Sequence, residues 1–123
     1  MSWVVRFEDQ FEAEFGALDQ PVQDALLASA RLLQTYGPGL GRPHVDTLNG
    51  SKHANMKEIR FAAADGVWRV AFAFDPARDA IILVAGDKSG TSSARFYQRL
   101  VSRADRRYDA HLKRLRGGPA KNG

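Results

Sequence analysis

The fold is decided by residues 57–74, which read KEIRFAAADGVWRVAFAF. Apolar side chains alternate with small or charged ones on both sides of Asp65-Gly66, and a period of two is typical of half-buried strands. Asp-Gly between two alternating runs is a strong signal for a two-residue hairpin turn. The segment therefore predicts an antiparallel pair of strands, 57–63 and 67–74.

This predicted turn also fixes which residues of the two strands face each other. It places Ala62 opposite Arg69 and Arg60 opposite Ala71, so that the two arginines become diagonal neighbours on one face. Phe61 and the other apolar residues lie on the opposite face. The register predicts a shallow, positive surface built from two arginines and small residues.

Two guanidiniums so close repel each other unless an anion lies between them, and a phosphate can accept bidentate hydrogen bonds from either one. In the alternative interpretation, Glu58 on the same face neutralises Arg60, and Arg69 is an ordinary solvated sheet residue. Surface ion pairs of this kind are common and contribute little. The sequence leaves both interpretations open.

The flanking segments predict the remaining elements. Residues 3–7 are rich in strand formers, and Phe7, Phe11 and Phe15 follow at helical spacing. Asp19 is a candidate N-cap for a second helix that ends at Gly37-Pro38. The residues from Gly37 to about Asn55 predict one long connection between the second helix and the strand that begins at residue 57.

A third meander strand is predicted over 80–85, and a terminal helix over 93–115, capped by Ser92 or Ser93 and lying over the sheet. The sequence thus predicts an α+β domain over residues 1–116, with a flexible tail at 117–123.

Composition narrows the class of protein. The 123 residues carry a formal charge of +4, contain no cysteine and have a sequence pI near 9.8. The basic balance permits contact with phosphates, and the missing thiols favour a reducing, cytoplasmic setting. We find no segment apolar enough for a signal peptide or a membrane span, and no spacing that indicates a metal site. No cofactor is expected.

Four motifs then carry a resemblance, which spans about residues 3–112. They are Leu48-Asn49-Gly50-Ser51, Met56-Lys57-Glu58-Ile59-Arg60-Phe61, Gly66-Val67-Trp68-Arg69-Val70-Ala71-Phe72 and Leu83-Val84-Ala85-Gly86-Asp87-Lys88. With the order of the elements, they resemble the RelE/ParE superfamily of toxins, and most closely its HigB-like, phage-derived branch.

The resemblance implies a compact RelE-like, microbial-RNase-like fold and an antitoxin partner with an XRE-type helix-turn-helix domain. For the RelE and HigB branches it implies cleavage of mRNA on the ribosome. The basic positions of the family fall on Lys57, Arg60, Arg69 and Lys88, and the tyrosine of some members falls on Tyr97.

Cleavage through the ribose 2′-OH needs positioned cations and an acid-base group. Arg60 and Arg69 suit charge stabilisation, Lys57 is the candidate base, and Lys88 is the candidate for phosphate positioning or proton donation. The candidate RNA-binding residues are Lys52, His53, Arg95, Tyr97 and Arg99. A solvated helix face is the alternative for the last helix.

The sequence leaves two other functions open. The ParE branch of the superfamily poisons DNA gyrase without cutting RNA, and fold alone does not fix function. The chain is alternatively an inactive RNA- or antitoxin-binding module, because no residue pair is an unmistakable acid-base couple.

Overall fold

The computed structural model describes residues 2–117. Its elements are β1 (Val5–Phe7), α1 (Asp9–Phe15), α2 (Gln20–Tyr36), β2 (Val45–Thr47), β3 (Lys57–Ala63), β4 (Gly66–Phe74), β5 (Ala80–Asp87) and α3 (Ser93–Gly117). The predicted α+β class, the helix pair, the three-stranded meander and the terminal helix are confirmed. Of the predicted tail, Gly117 ends α3 and residues 118–123 lie outside the described part of the chain.

The five strands form one sheet in the order β1-β5-β4-β3-β2. Strand β1 runs parallel to β5, with Val5 paired to Ala80, and the other neighbouring strands run antiparallel. Pairing between segments so far apart in the chain is set by how the two helices return the chain across the sheet. The local pattern of either strand does not contain that information.

Strand β2 lies inside the segment that the sequence predicts to be an irregular connection. Val45 pairs with Ile59 and is 2% exposed. Three residues are too few to show an alternating pattern, and this strand is stabilised by its neighbour and by burial of Val45, since strand preference depends mostly on such context.

The β3–β4 turn is displaced by one residue from the predicted position. Ala64 and Asp65 occupy the turn with φ of 50° and 60°, and Ala63 pairs with Gly66. Positive φ at both central residues is the type I′ geometry. Gly66 is required for another reason: a Cβ there would lie 2.8 Å from Trp68 Nε1 and from an Asp87 carboxylate oxygen.

This displacement changes the cross-strand partners but not the faces. Arg60 lies directly opposite Arg69, not diagonal to it as predicted. The register differs from the predicted one by two residues, and side chains alternate with a period of two, so every residue keeps its face. The prediction that the two arginines share a face is therefore confirmed.

Each face of the sheet carries its own core. Phe11, Leu26 and Leu33 of α1 and α2 pack with Ile59 and Phe72 on one face. On the other face, α3 packs through residues that include Leu100, Ala104 and Tyr108 against a sheet surface that includes Ala71 and Leu83. The second face is the one that holds the two arginines, so α3 partly covers the surface that the sequence predicts to be open.

Within residues 2–117, no helix combines the length and the apolar character that crossing a membrane requires.

Candidate active site

Arg60 and Arg69 form a close cross-strand pair. The backbone N–H of Arg60 donates to the His44 carbonyl, 2.8 Å away, and thus points toward β2 and away from β4. The arginines are therefore a non-hydrogen-bonded pair, the kind with Cα atoms about 4.5 Å apart and side chains close together. The Arg60 side chain is 35% exposed and that of Arg69 only 8%.

Glu58 lies between the two guanidinium groups. Its Oε1 is 3.9 Å from Arg69 Nε, and its Oε2 is 4.0 Å from Arg60 Nε. The carboxylate is buried, and Oε1 accepts no hydrogen bond from any described residue. Asp46 of β2 adds a second carboxylate, with Oδ2 3.8 Å from an Arg60 Nη. The ion pair of the alternative interpretation is present, but Arg69 is buried and not solvated.

Tyr97 of α3 completes the surroundings of Arg69. Arg69 Nε donates to the Tyr97 hydroxyl oxygen at 3.1 Å, and its Nη1 donates to the Trp68 carbonyl at 2.9 Å. Burial raises the pKa of Tyr97, the hydrogen bond from Arg69 lowers it, and the neighbouring Glu58 carboxylate raises it through hydrogen bonding and charge. A neutral phenol whose oxygen already accepts one hydrogen bond still has its O–H to donate. We call Glu58, Arg60, Arg69 and Tyr97 the arginine cluster.

Lys88 borders this cluster. Its backbone N–H donates to the Val67 carbonyl at 2.7 Å, which fixes the chain just after β5, and its Nζ lies 5.7 Å from the centre of the Tyr97 ring. The structure thus places three of the sequence-predicted catalytic residues, Arg60, Arg69 and Lys88, around Tyr97 and Glu58.

Lys57, the candidate base, is not brought to the arginine cluster. It pairs with Phe72 and belongs to the face of Ile59, which is packed by α1 and α2. Residues at odd and even positions of β3 point to opposite faces, so Lys57 and Arg60 lie on different sides of the sheet.

Lys52 and His53 are also held elsewhere. Lys52 Nζ pairs with Asp109, and His53 Nε2 lies 2.8 Å from the same carboxylate. The hydrogen bond that Lys52 donates to Asp109 lowers the pKa of Asp109 and raises the pKa of Lys52. Asp109 follows Tyr97 by 109 − 97 = 12 residues of α3, or about 18 Å along the helix axis.

The other predicted RNA-binding residues, Arg95 and Arg99, are exposed on α3. They lie near Tyr97 in the chain, but a helix turns 100° per residue, so their side chains project from a different side of α3.

Sequence reasoning missed Asp46 altogether, because β2 was not predicted. It placed Glu58 on the correct face but treated it only as a neutralising charge. Glu58 lies between both arginines because Arg60 and Arg69 face each other directly across β3 and β4. Among residues 2–117, no group of three or more His, Cys, Asp or Glu side chains is arranged to hold a metal ion.

Comparison with known proteins identifies the family. A family model described as "Phage derived protein Gp49-like (DUF891)" matches residues 13–109. The chain belongs to this family. Two relatives from Mycobacterium tuberculosis carry toxin names. "Putative toxin HigB3" is 42% identical over 109 residues, which cover 89% of this chain and 93% of that protein.

"Putative toxin HigB2" is 38% identical over 113 residues, which cover 91% of this chain and 55% of that protein. The chain thus spans about half the length of this relative. The resemblance to HigB-like, phage-derived toxins is confirmed, and the chain is grouped with toxins of toxin–antitoxin systems.

Among solved structures, Escherichia coli toxin RelE, a mutant in the free state, superposes with a TM-score of 0.58. The match covers 83% of this chain and 96% of RelE at 13% sequence identity. At this identity the likeness establishes the fold, and the predicted RelE-like fold is confirmed.

Proposed function

We propose that this toxin is an endoribonuclease that cuts mRNA on the ribosome and is held inactive by a cognate antitoxin with an XRE-type helix-turn-helix domain. The observation that supports this is the arginine cluster, in which two guanidiniums, a carboxylate and a phenol converge on one face of the sheet. The names of the HigB relatives agree with a toxin.

The proposed reaction is an attack by a ribose 2′-oxygen on the adjacent phosphorus. The new O2′–P bond forms, the P–O5′ bond breaks, and the products are a 2′,3′-cyclic phosphate and a 5′-hydroxyl end. Negative charge builds up on the phosphorane oxygens, where Arg60 and Arg69 stabilise it. The proton lost by the 2′-OH needs an acceptor, and the departing 5′-oxygen needs a donor.

Glu58 is the proposed acceptor, in the role that the sequence gives to Lys57. Lys57 lies on the other face, whereas Glu58 lies between the arginines and has an oxygen without a hydrogen bond from the described residues. Tyr97 is the proposed donor, because its hydroxyl lies beside Arg69 and Glu58 and its raised pKa keeps the O–H protonated until the proton is transferred. Lys88 beside Tyr97 positions the phosphate.

Substrate entry requires local rearrangement. Arg69 and Glu58 are both buried in the free chain. A phosphate therefore has to replace part of the Glu58–Arg69 contact, and catalytic groups often reach their final geometry only in the complex with substrate.

The proposal is tested by inducing the gene with and without its antitoxin and sequencing the 5′ ends of cellular mRNA. We expect new 5′-hydroxyl ends in translated mRNA within minutes of induction without the antitoxin. Intact mRNA together with a DNA-damage response would overturn the proposal in favour of the gyrase alternative. Intact mRNA without growth arrest would indicate the inactive binding module.

A further inference from the structure

The outward side of α3 carries a row of arginines that the proposed chemistry does not use. Arg95, Arg99, Arg103 and Arg106 are all exposed. At 100° per residue they fall within a sector of about 80°, and at 1.5 Å per residue they extend over about 16 Å. We call these four residues the outer arginine row. Lys113, also exposed, continues it two turns later.

The row differs from two other arginines of the same helix, which have carboxylate partners. Arg107 is buried, and both its Nη groups donate to the Glu14 carboxylate, while Nη1 also donates to the Leu83 carbonyl. Arg114 lies near the carboxylates of Glu8 and Asp9. Between residues 2 and 117, no ion pair within 4.0 Å involves a member of the outer arginine row.

The acidic groups close to the row are already engaged. Glu14 is paired with Arg107. The hydrogen bond from Arg107 is the main cause of its lowered pKa, and the charge of Arg103 also lowers this pKa. Asp87 lines a groove of about 240 Å³ with Arg99 and Arg103, but it accepts hydrogen bonds from Val67 and Ser89.

The helix's own acidic residues are held as well. The carboxylates of Asp105 and Asp109 hold Ser51, Lys52 and His53 of the β2–β3 loop. Like charges three and four residues apart destabilise a helix. Binding of an external anion would relieve this repulsion.

The row has the chemistry of a phosphate-binding surface and lacks that of a protein interface. Arginine also occurs at protein interfaces, but there it accompanies buried aromatic anchors at the centre of the contact. The exposed large hydrophobic residues of the described chain are Val4, Leu27, Tyr36, Val67 and Leu115, and none lies in the row. Leu115 of α3 falls on the opposite side of the helix from Arg95. Contact with a nucleic-acid backbone needs only cationic donors at regular spacing.

We infer that the outer arginine row binds the phosphate backbone of RNA and is a docking surface separate from the arginine cluster. This inference rests on the proposed function, since it concerns the same substrate. The row begins at the end of α3 that holds Tyr97, on a different side of the helix, so an RNA strand bound at the cluster would have to pass around this end of α3 to reach it.

The test measures how RNA affinity depends on salt, because each lost phosphate contact makes the salt dependence shallower. The probe is a 20-nucleotide single-stranded RNA with 2′-O-methyl sugars, which cannot be cut through the 2′-oxygen. The row variant carries Arg99→Gln, Arg103→Gln and Arg106→Gln. The control removes the same charge outside α3 through Arg6→Gln, Arg31→Gln and Arg78→Gln. Thermal unfolding checks that both variants are folded.

Each phosphate contact with a single strand contributes about 0.7 to the slope of log Kd against log salt concentration. We therefore expect the row variant to lose about 2 from this slope and the control to keep the wild-type value. Equal slopes for wild type and row variant would overturn the inference. So would a row variant that loses binding to a twelve-residue polyglutamate peptide but keeps RNA binding, because the surface would then serve an acidic protein segment.

A third variant separates this inference from the proposed function. Arg69→Ala should strongly reduce the new mRNA ends, and it should change the salt slope of the uncuttable RNA by no more than the value of one phosphate contact, about 0.7. If wild-type protein makes no mRNA cuts but binds RNA through the row, the proposed cleavage fails and the inference stands. If cuts occur and the slope is insensitive to the row, the inference fails and the proposed function stands.

Discussion

Arg60 and Arg69 lie directly opposite each other across β3 and β4, yet one side chain is 35% exposed and the other 8%. The difference arises because α3 covers the Arg69 end of the pair and places Tyr97 against its guanidinium. Arg60 is therefore accessible to an incoming phosphate, whereas Arg69 lies buried beneath it and is already held in place by Tyr97.

Replacing Arg69 tests the charge-stabilising role. Arg69→Ala should lower the rate of RNA cleavage by about 10²- to 10³-fold, the cost of losing one preorganised donor at a developing charge. Arg69→Lys should restore little, because an ammonium cannot reproduce the contacts of the guanidinium to Tyr97 and Trp68. Cleavage is measured by mapping 5′ ends after induction. Arg31→Ala, at an exposed position of α2, is the control, and an Arg69→Ala variant with unchanged cleavage would refute the role.

Replacing Glu58 distinguishes a base from a neutralising charge. If Glu58 accepts the 2′-OH proton, Glu58→Gln should reduce cleavage by about 10²- to 10⁴-fold while RNA binding becomes tighter, since a negative charge is removed. Glu58→Asp should recover part of the activity. Tighter binding with undiminished cleavage in Glu58→Gln would show that this carboxylate only neutralises the arginines, and the base would have to be sought elsewhere.

The Glu14–Arg107 pair makes stability depend on pH. Glu14 has a lowered pKa in the folded chain, from an ordinary value of 4.5, mainly because Arg107 donates hydrogen bonds to it. The pair thus stabilises the fold above that ordinary value, and its contribution is lost as pH falls through the lowered one.

Because Glu14 is partly exposed, Glu14→Gln should reduce the free energy of unfolding by only about 1 kcal/mol at neutral pH, and this difference should shrink as the pH falls below 4.5. Urea unfolding at neutral pH and at a series of acid pH values measures it. Glu12→Gln, an exposed change in the same helix, serves as the control. If Glu14→Gln lowered the free energy of unfolding by the same amount at acid pH, the loss would not come from the Glu14–Arg107 ion pair.

Gly66 is predicted to be required by packing. Gly66→Ala introduces a methyl group 2.8 Å from Trp68 Nε1, and it should lower the free energy of unfolding by about 1–3 kcal/mol, as overpacking does. Thermal unfolding measures the loss. Gly16→Ala is the matched control, because a Cβ at that position meets nothing within 4 Å. Equal melting temperatures for the two variants would show that the contact relaxes without cost.

Much of the site follows from the sequence, within a definite limit. The alternating pattern of residues 57–74 places Arg60 and Arg69 on one face, and an error of two residues in the register leaves that result intact. The same alternation puts Lys57 on the other face. Lys57 nevertheless became the candidate base, because the family resemblance assigns it by position along the chain and carries no information on the direction of its side chain.

The sequence by itself determined the α+β class, the meander and the shared face of the two arginines, because each depends on local periodicity that neighbouring residues enforce. Only the tertiary structure decided that α3 covers this face, that Tyr97 reaches Arg69, that β2 brings Asp46 to Arg60 and that Lys52 and His53 are held at Asp109. These contacts join segments far apart in the chain. Their geometry depends on how helices and strands pack around two cores, and no local pattern records that packing.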